Sequence, residues 1–143
     1  MKKLVIAVIF YNEINNVHKT LNQIRERETD FILIDDGSDD GTLDIIKKEN
    51  YNLVSHEKNE GYGRAVKTAA NYAKINNYDY FAIFPGDNQR KFEDIDKLYQ
   101  KINSSISYDI IVGSKFRMLK SIPIKRKFGN YFFRNYQKFG AIR

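Results

Sequence analysis

The sequence predicts an α/β fold: a mainly parallel sheet flanked by helices on both faces. Two observations carry this. Short apolar runs alternate with segments of helical period along the whole chain. The connections between them are short, and right-handed crossovers between successive strands force a parallel sheet with helices packed on it. At 143 residues with 42% hydrophobic and 14% aromatic content, the chain is long enough for one packed core and too short for two ordinary domains.

The first strand is read at residues 3–10, where Leu4-Val5-Ile6-Ala7-Val8-Ile9-Phe10 is continuous and β-branched, as in a strand buried on both faces. Its basic start and apolar run lack a small-residue cleavage site, so it is read as a strand and not a signal peptide, with a cytoplasmic protein as the default. Asn12 is placed to cap the next helix, in which Ile14, Val17, Leu21 and Ile24 recur at three- and four-residue spacing. Phe31–Ile34 is a second strand. Asp35-Asp36-Gly37-Ser38-Asp39-Asp40-Gly41 is dense in turn and cap residues, and Thr42–Lys48 is a short helix. Tyr51–Val54 is a third strand. Asn59-Glu60-Gly61-Tyr62-Gly63 is a glycine loop that opens a helix from Arg64 to Ala73. Tyr80–Phe84 is a fourth strand, ended by Pro85-Gly86-Asp87-Asn88. Ile95, Leu98, Tyr99 and Ile102 mark a further helix, and Ile110–Val112 a fifth strand stopped by Gly113-Ser114.

Charge divides the chain in two. Residues 1–114 carry a net −3, and residues 115–143 hold nine basic residues and no acidic one. The first part reads as the α/β body and the second as a basic, aromatic tail suited to anionic partners, or else as a solvated helix face. There is no cysteine, hence no disulfide framework and no thiolate nucleophile or ligand, and two distant histidines make a poor zinc set. For His18 and His56 the plain reading is a solvated or packed ring. No apolar run reaches the ~18–20 residues that span a bilayer.

Ligands of parallel α/β sheets bind beyond the carboxyl ends of the strands. Four polar clusters fall there: Asn12-Glu13, Asp35-Asp36-Gly37-Ser38, Asp87-Asn88-Gln89 and Gly113-Ser114. Singly, each has a plain reading as turn or cap chemistry. Together they form one acidic rim with glycine loops and helix starts, which suits a nucleotide: carboxylates accept from ribose hydroxyls or base N–H groups, and helix amino termini approach phosphates. A divalent cation could bridge a carboxylate and a diphosphate. The glycines do not form a dinucleotide fingerprint, and neither a G-x-S-x-G elbow nor a P-loop is present.

These stretches, in order, resemble family 2 glycosyltransferases, nearest the dolichol-phosphate-mannose-synthase-like and polyprenyl-phosphate branch. The matching residues are Tyr11-Asn12-Glu13, Ile34 to Thr42, Asn59 to Ala65, Gly86-Asp87-Asn88-Gln89 with Glu93-Asp94-Ile95, and Gly113 to Phe116. The resemblance covers about residues 3–140 and implies a Rossmann-like nucleotide-diphospho-sugar transferase fold of the glycosyltransferase A type. It makes residues 1–114 a nucleotide-sugar-binding domain. Tyr11, Asn12, Glu13, Asp35, Asp36, Gly61 and Gly63 would hold the nucleotide of a UDP- or GDP-sugar, with Asp36 on the base or ribose. Asp87 would be the second carboxylate of the family's Asp-x-Asp motif, with Gln89 beside it on Mg²⁺ or Mn²⁺ and the diphosphate. Arg126 resembles a family arginine that neutralises phosphates. The implied reaction is displacement at the anomeric carbon, with a polyprenyl phosphate or glycan as acceptor.

Three departures accompany the resemblance. Pro85 stands where the first aspartate of Asp-x-Asp is expected. Ile9 replaces a proline two residues before the tyrosine. The family's acceptor-facing segment, with its catalytic carboxylate, lies beyond Arg143, so the sequence reads as a truncated, donor-binding part with its catalytic residue unassigned. From Lys125 to Phe139 aromatic and basic residues interleave. They fit either a peripheral contact with the inner, anionic membrane face or packing against a carboxyl-terminal part, which would leave an apolar patch and a homo-oligomer. Two other functions compete with a transferase: a non-catalytic nucleotide-sugar-binding module, favoured by Pro85, and a nucleic-acid binder using the tail. The acidic rim argues against the latter, and no nucleic-acid partner is expected.

Overall fold

The computed structural model describes residues 3–102. Its elements run β1 (Leu4–Phe10), α1 (Val17–Arg25), β2 (Asp30–Asp35), α2 (Thr42–Ile46), β3 (Asn52–Ser55), α3 (Tyr62–Ile75), β4 (Tyr80–Pro85) and α4 (Phe92–Ile102). The strands form one sheet in the order β3-β2-β1-β4, and every pairing is parallel. The α/β class with a parallel, helix-flanked sheet is therefore as the alternating periods require. The expected fifth strand at 110–112 and the tail from 115 to 143 lie outside the described residues.

β1 lies between β2 and β4 and is buried along its whole length. Successive side chains of a strand point to opposite faces, and the core divides accordingly. Leu4, Ile6, Val8 and Phe10 join Phe31 and Leu33 on one face, under Val17, Leu21 and Ile24 of α1, Ile46 of α2 and Phe92 and Ile95 of α4. Phe84 and Phe92 stack there at 3.8 Å, and Phe31 meets Phe92 edge-on at 5.9 Å. Each such buried side chain contributes about 1.5–3 kcal/mol of transfer free energy. On the other face Val5, Ala7, Ile9, Ile32 and Ile34 meet α3 through Ala65, Ala69 and Ala73. Their four-residue spacing places the three alanines in one stripe, and their small size lets the helix lie close to the sheet.

Three local expectations need correction. Asn12 does not cap α1: it adopts a left-handed φ of 53°, and the helix begins at Val17 behind Asn16. The stretch 13–16 is instead a turn, in which Glu13 C=O accepts from Asn16 N–H at 2.9 Å and Val17 N–H at 2.8 Å. Ile14, counted on the apolar stripe, is consequently exposed, whereas Val17, Leu21 and Ile24 are buried. Gly63 is not in the glycine loop, because α3 starts at Tyr62 and Gly63 lies in its first turn. Pro85 closes β4 opposite Ile9. A proline has no N–H to give the ladder, and the Gly86 N–H takes the Ile9 carbonyl instead, at 2.8 Å.

Candidate nucleotide-binding rim

The parallel sheet brings the ends of β1, β2, β3 and β4 to one margin, and hydrogen bonds between loops distant in sequence hold them there. Asn12 N–H donates to Ser38 Oγ at 3.0 Å, Glu13 N–H to Thr42 Oγ1 at 2.9 Å and Ile14 N–H to Asp40 Oδ2 at 2.9 Å. Asp39 N–H returns a bond to Asn12 Oδ1 at 3.0 Å, which accounts for the left-handed turn at Asn12. The loop after β1 is thus stitched to the loop after β2. On the other side, Thr20 Oγ1 donates to the Gly86 carbonyl at 3.0 Å and Gln23 Nε2 to Asn88 Oδ1 at 2.8 Å, tying α1 to the loop after β4.

The two aspartates at the end of β2 have different partners. Asp35 is fully buried. Its Oδ2 accepts from Gly37 N–H at 3.1 Å and Ser38 N–H at 3.0 Å, and its Oδ1 from Ser38 Oγ at 2.5 Å. It therefore shapes its own turn. Asp36, 2% exposed, reaches the loop after β3. Oδ1 accepts from Glu60 N–H at 3.1 Å and Oδ2 from Gly61 N–H at 2.9 Å, and His56 Nδ1 lies 2.7 Å from Oδ1. Burying a carboxylate without such bonds is costly, so these contacts explain why both acids can lie in the interior. Asp40 shows the same competition: partial burial pushes its pKa up, but bonds from Thr42 and the backbone N–H of Ile14 outweigh this and hold it below the usual carboxylate value.

Among the remaining rim residues, Tyr11 is exposed just past β1. Glu13 is half-buried, and its Oε2 accepts from Asn16 Nδ2 at 2.7 Å. Gly61 has φ 88° and ψ 157° immediately before α3, and no side chain caps that helix, so its first turn presents backbone N–H groups toward the margin. Gly63 is exposed in that turn. Asp87 is half-buried, with Oδ1 accepting from Gln89 N–H at 3.0 Å, and Gln89 itself is exposed. Arg126 lies outside the described residues. The loops of Tyr11, Asn12, Glu13, Asp35, Asp36 and Gly61 thus share one margin with that of Asp87.

Sequence reasoning left His56 out of this network, and it placed Ser38 and Thr42 in the loop after β2 without their bonds to Asn12 and Glu13. A signal for His56 was present: it directly follows β3 and so stands at the same strand margin as Asp36. Among the described residues no group of three or more His, Cys, Asp or Glu side chains could hold a metal ion. Asp87 offers a single carboxylate, which fits a hard cation held largely by a bound diphosphate and not a cage made by the protein.

Residues 5–141 match the family description Glycosyl transferase family 2. The chain belongs to that family. Its relatives include an uncharacterized protein of Methanocaldococcus jannaschii, 35% identical over 136 residues, covering 90% of this chain and 58% of the relative. The UDP-N-acetylglucosamine--dolichyl-phosphate N-acetylglucosaminyltransferase of Methanococcus voltae is 32% identical over 151 residues, covering 90% of this chain and 59% of that enzyme. The undecaprenyl-phosphate mannosyltransferase of Micrococcus luteus is 24% identical over 120 residues, covering 79% and 48%. This family 2 chain therefore spans about half the length of the curated relatives it matches. Among the described residues no helix is long and apolar enough to cross a membrane.

Proposed function

We propose that the rim binds the nucleoside diphosphate of a UDP- or GDP-sugar and that the protein transfers the sugar to a polyprenyl phosphate. The observation that carries this is the joining of the β1, β2 and β3 loops at one margin, through Asn12, Ser38, Asp36 and Gly61, in a chain of the glycosyltransferase family. The named activities of two relatives, on dolichyl and undecaprenyl phosphate, support the acceptor class.

In this reading Tyr11, Asn12, Glu13, Asp35 and Asp36 build the wall for base and ribose. Both aspartates contribute mainly by shaping backbone, since their oxygens are engaged within the protein. Gly61 and Gly63 bring the uncapped start of α3 to the phosphates. Asp87, with Gln89 beside it, would hold Mg²⁺ or Mn²⁺, which would stabilise the charge of the leaving diphosphate. The basic tail, with Arg126, meets the acceptor phosphate at the inner membrane face, making the protein cytoplasmic and peripheral. Pro85 favours a second reading, a donor-binding module without turnover, because it removes one carboxylate from the metal position.

Calorimetric titration with UDP, GDP and their sugars, with and without Mg²⁺ or Mn²⁺, tests the reading. Saturable binding of one sugar nucleotide is expected, and its loss in Asp36→Ala. Binding unchanged by that substitution, or no binding of any nucleotide, defeats the site. Transfer to a polyprenyl phosphate in a vesicle assay then separates the transferase from the module.

A further inference from the structure

His56 links three parts of the fold. It follows β3, and its side chain is 9% exposed. Nδ1 lies 2.7 Å from Asp36 Oδ1, and Nε2 lies 3.0 Å from Thr68 Oγ1 on α3. A carboxylate only accepts, so Nδ1 is the donor in the contact with Asp36, while the Thr68 hydroxyl can pair with Nε2 as donor or acceptor. A continuous chain of polar contacts thus runs from Thr68 through His56 to Asp36, and from Asp36 to the Glu60 and Gly61 amides.

The loop held by that chain turns at a glycine. With φ 88° and ψ 157°, Gly61 occupies a region that essentially only glycine adopts, and a glycine's wide backbone freedom leaves the turn to be fixed by its contacts. The terminal torsion of an aspartate is broad, so two amides alone leave the plane of the carboxylate loosely set. The Nδ1–H of His56, itself in contact with Thr68, adds a third donor that narrows that torsion.

We propose that His56 is a positioning residue for the donor site. It orients the Asp36 carboxylate so that the carboxylate clasps the Glu60 and Gly61 amides and sets the Gly61 turn and the start of α3 against the nucleotide. The inference rests on the rim being the donor site, but the clasp itself is measurable without any ligand.

The test compares His56→Asn, whose amide N–H₂ stands near the Nδ1 position, with His56→Gln, whose amide reaches toward Thr68, and with His56→Ala. All are made in the full chain. Three quantities are read: the Kd of the sugar nucleotide that the wild type binds, amide hydrogen exchange at Glu60 and Gly61, and Tm. His56→Ala and His56→Gln should raise Kd and speed Gly61 exchange about tenfold, the worth of one lost bond to a charged group, while His56→Asn stays within about threefold on both. A purely structural histidine would lower Tm alike in Asn and Gln and leave Kd unchanged in the folded protein. Equal Kd and equal exchange in those two variants overturns the proposal, and that comparison stands even if His56→Ala does not fold. If the wild type binds no sugar nucleotide, the donor reading fails, while the exchange rates still decide whether His56 orients the clasp.

Discussion

Gly37 sits where the loop after β2 passes beneath the segment before α3. Its φ is +74°, and a Cβ placed on it would lie 2.2 Å from Lys58 C, 2.5 Å from Asn59 N and 2.6 Å from Lys58 Cα. All three are backbone atoms, so no side chain can swing aside. Gly37→Ala therefore costs on two counts: about 1–2 kcal/mol for left-handed geometry and about 1–3 kcal/mol for the displacement forced on a packed neighbour. The expected loss is about 2–5 kcal/mol, a large share of the stability of a small domain. Gly61→Ala carries a backbone cost without a clash. Its φ is +88° and nothing lies within 4 Å of its Cβ position, so backbone strain alone, about 1–3 kcal/mol, is expected. Gly63→Ala is the control. It lies in the first turn of α3 with open space around its Cβ position, and alanine should stabilise by about 0.5–1 kcal/mol. Urea unfolding of the wild type and the three variants should rank Gly63→Ala first, then wild type, Gly61→Ala and Gly37→Ala. A smaller loss at Gly37 than at Gly61, or a loss at Gly63, would refute the reasoning. Because Lys58 and Asn59 lead into the Gly61 turn, Gly37→Ala should also weaken nucleotide binding.

Three further outcomes are expected. Asp87→Ala should abolish the enhancement of nucleotide binding by Mg²⁺ or Mn²⁺ while leaving metal-free binding within about twofold, since among the described residues its carboxylate bonds its own turn; calorimetry with and without the cation checks this. Thr42→Val should cost about 1–3 kcal/mol in urea unfolding, because the Glu13 N–H loses its acceptor within the stitched loops; Thr42→Ser, which keeps the hydroxyl, should lose less. The Tyr78 hydroxyl is pushed up to about 12 by burial, by its hydrogen bond and proximity to Asp30 and by Tyr72. Its folded value exceeds its unfolded one, so the folded state retains the proton longer. Its contribution to stability is full below pH about 10 and is lost as pH rises toward about 12. Tyrosinate absorbance in wild type and Tyr78→Phe should show one late-titrating group missing from the variant.

The strands of residues 4–10, 30–35, 52–55 and 80–85 and the helices between them were legible because an apolar run reports a buried strand and a three-to-four-residue recurrence reports a helix buried on one face, and both are local signals. Parallel topology followed from their alternation, and the order of the polar clusters led to the family. The contacts of those clusters were less legible. Asn12 resembled a cap because its neighbours were read along the chain, whereas its acceptor serves Asp39 across the rim. Asp35 and Asp36 read alike in the sequence, as turn residues or as nucleotide ligands, yet one closes its own turn and the other clasps a loop more than twenty residues away. The local pattern of residues, by itself, determined which segments are strands and helices and that their polar ends meet at one margin. Only the tertiary structure decided which oxygens at that margin are already spent and made His56 part of it, because a hydrogen bond depends on where two atoms finish in space, and periodicity along a chain carries no record of that.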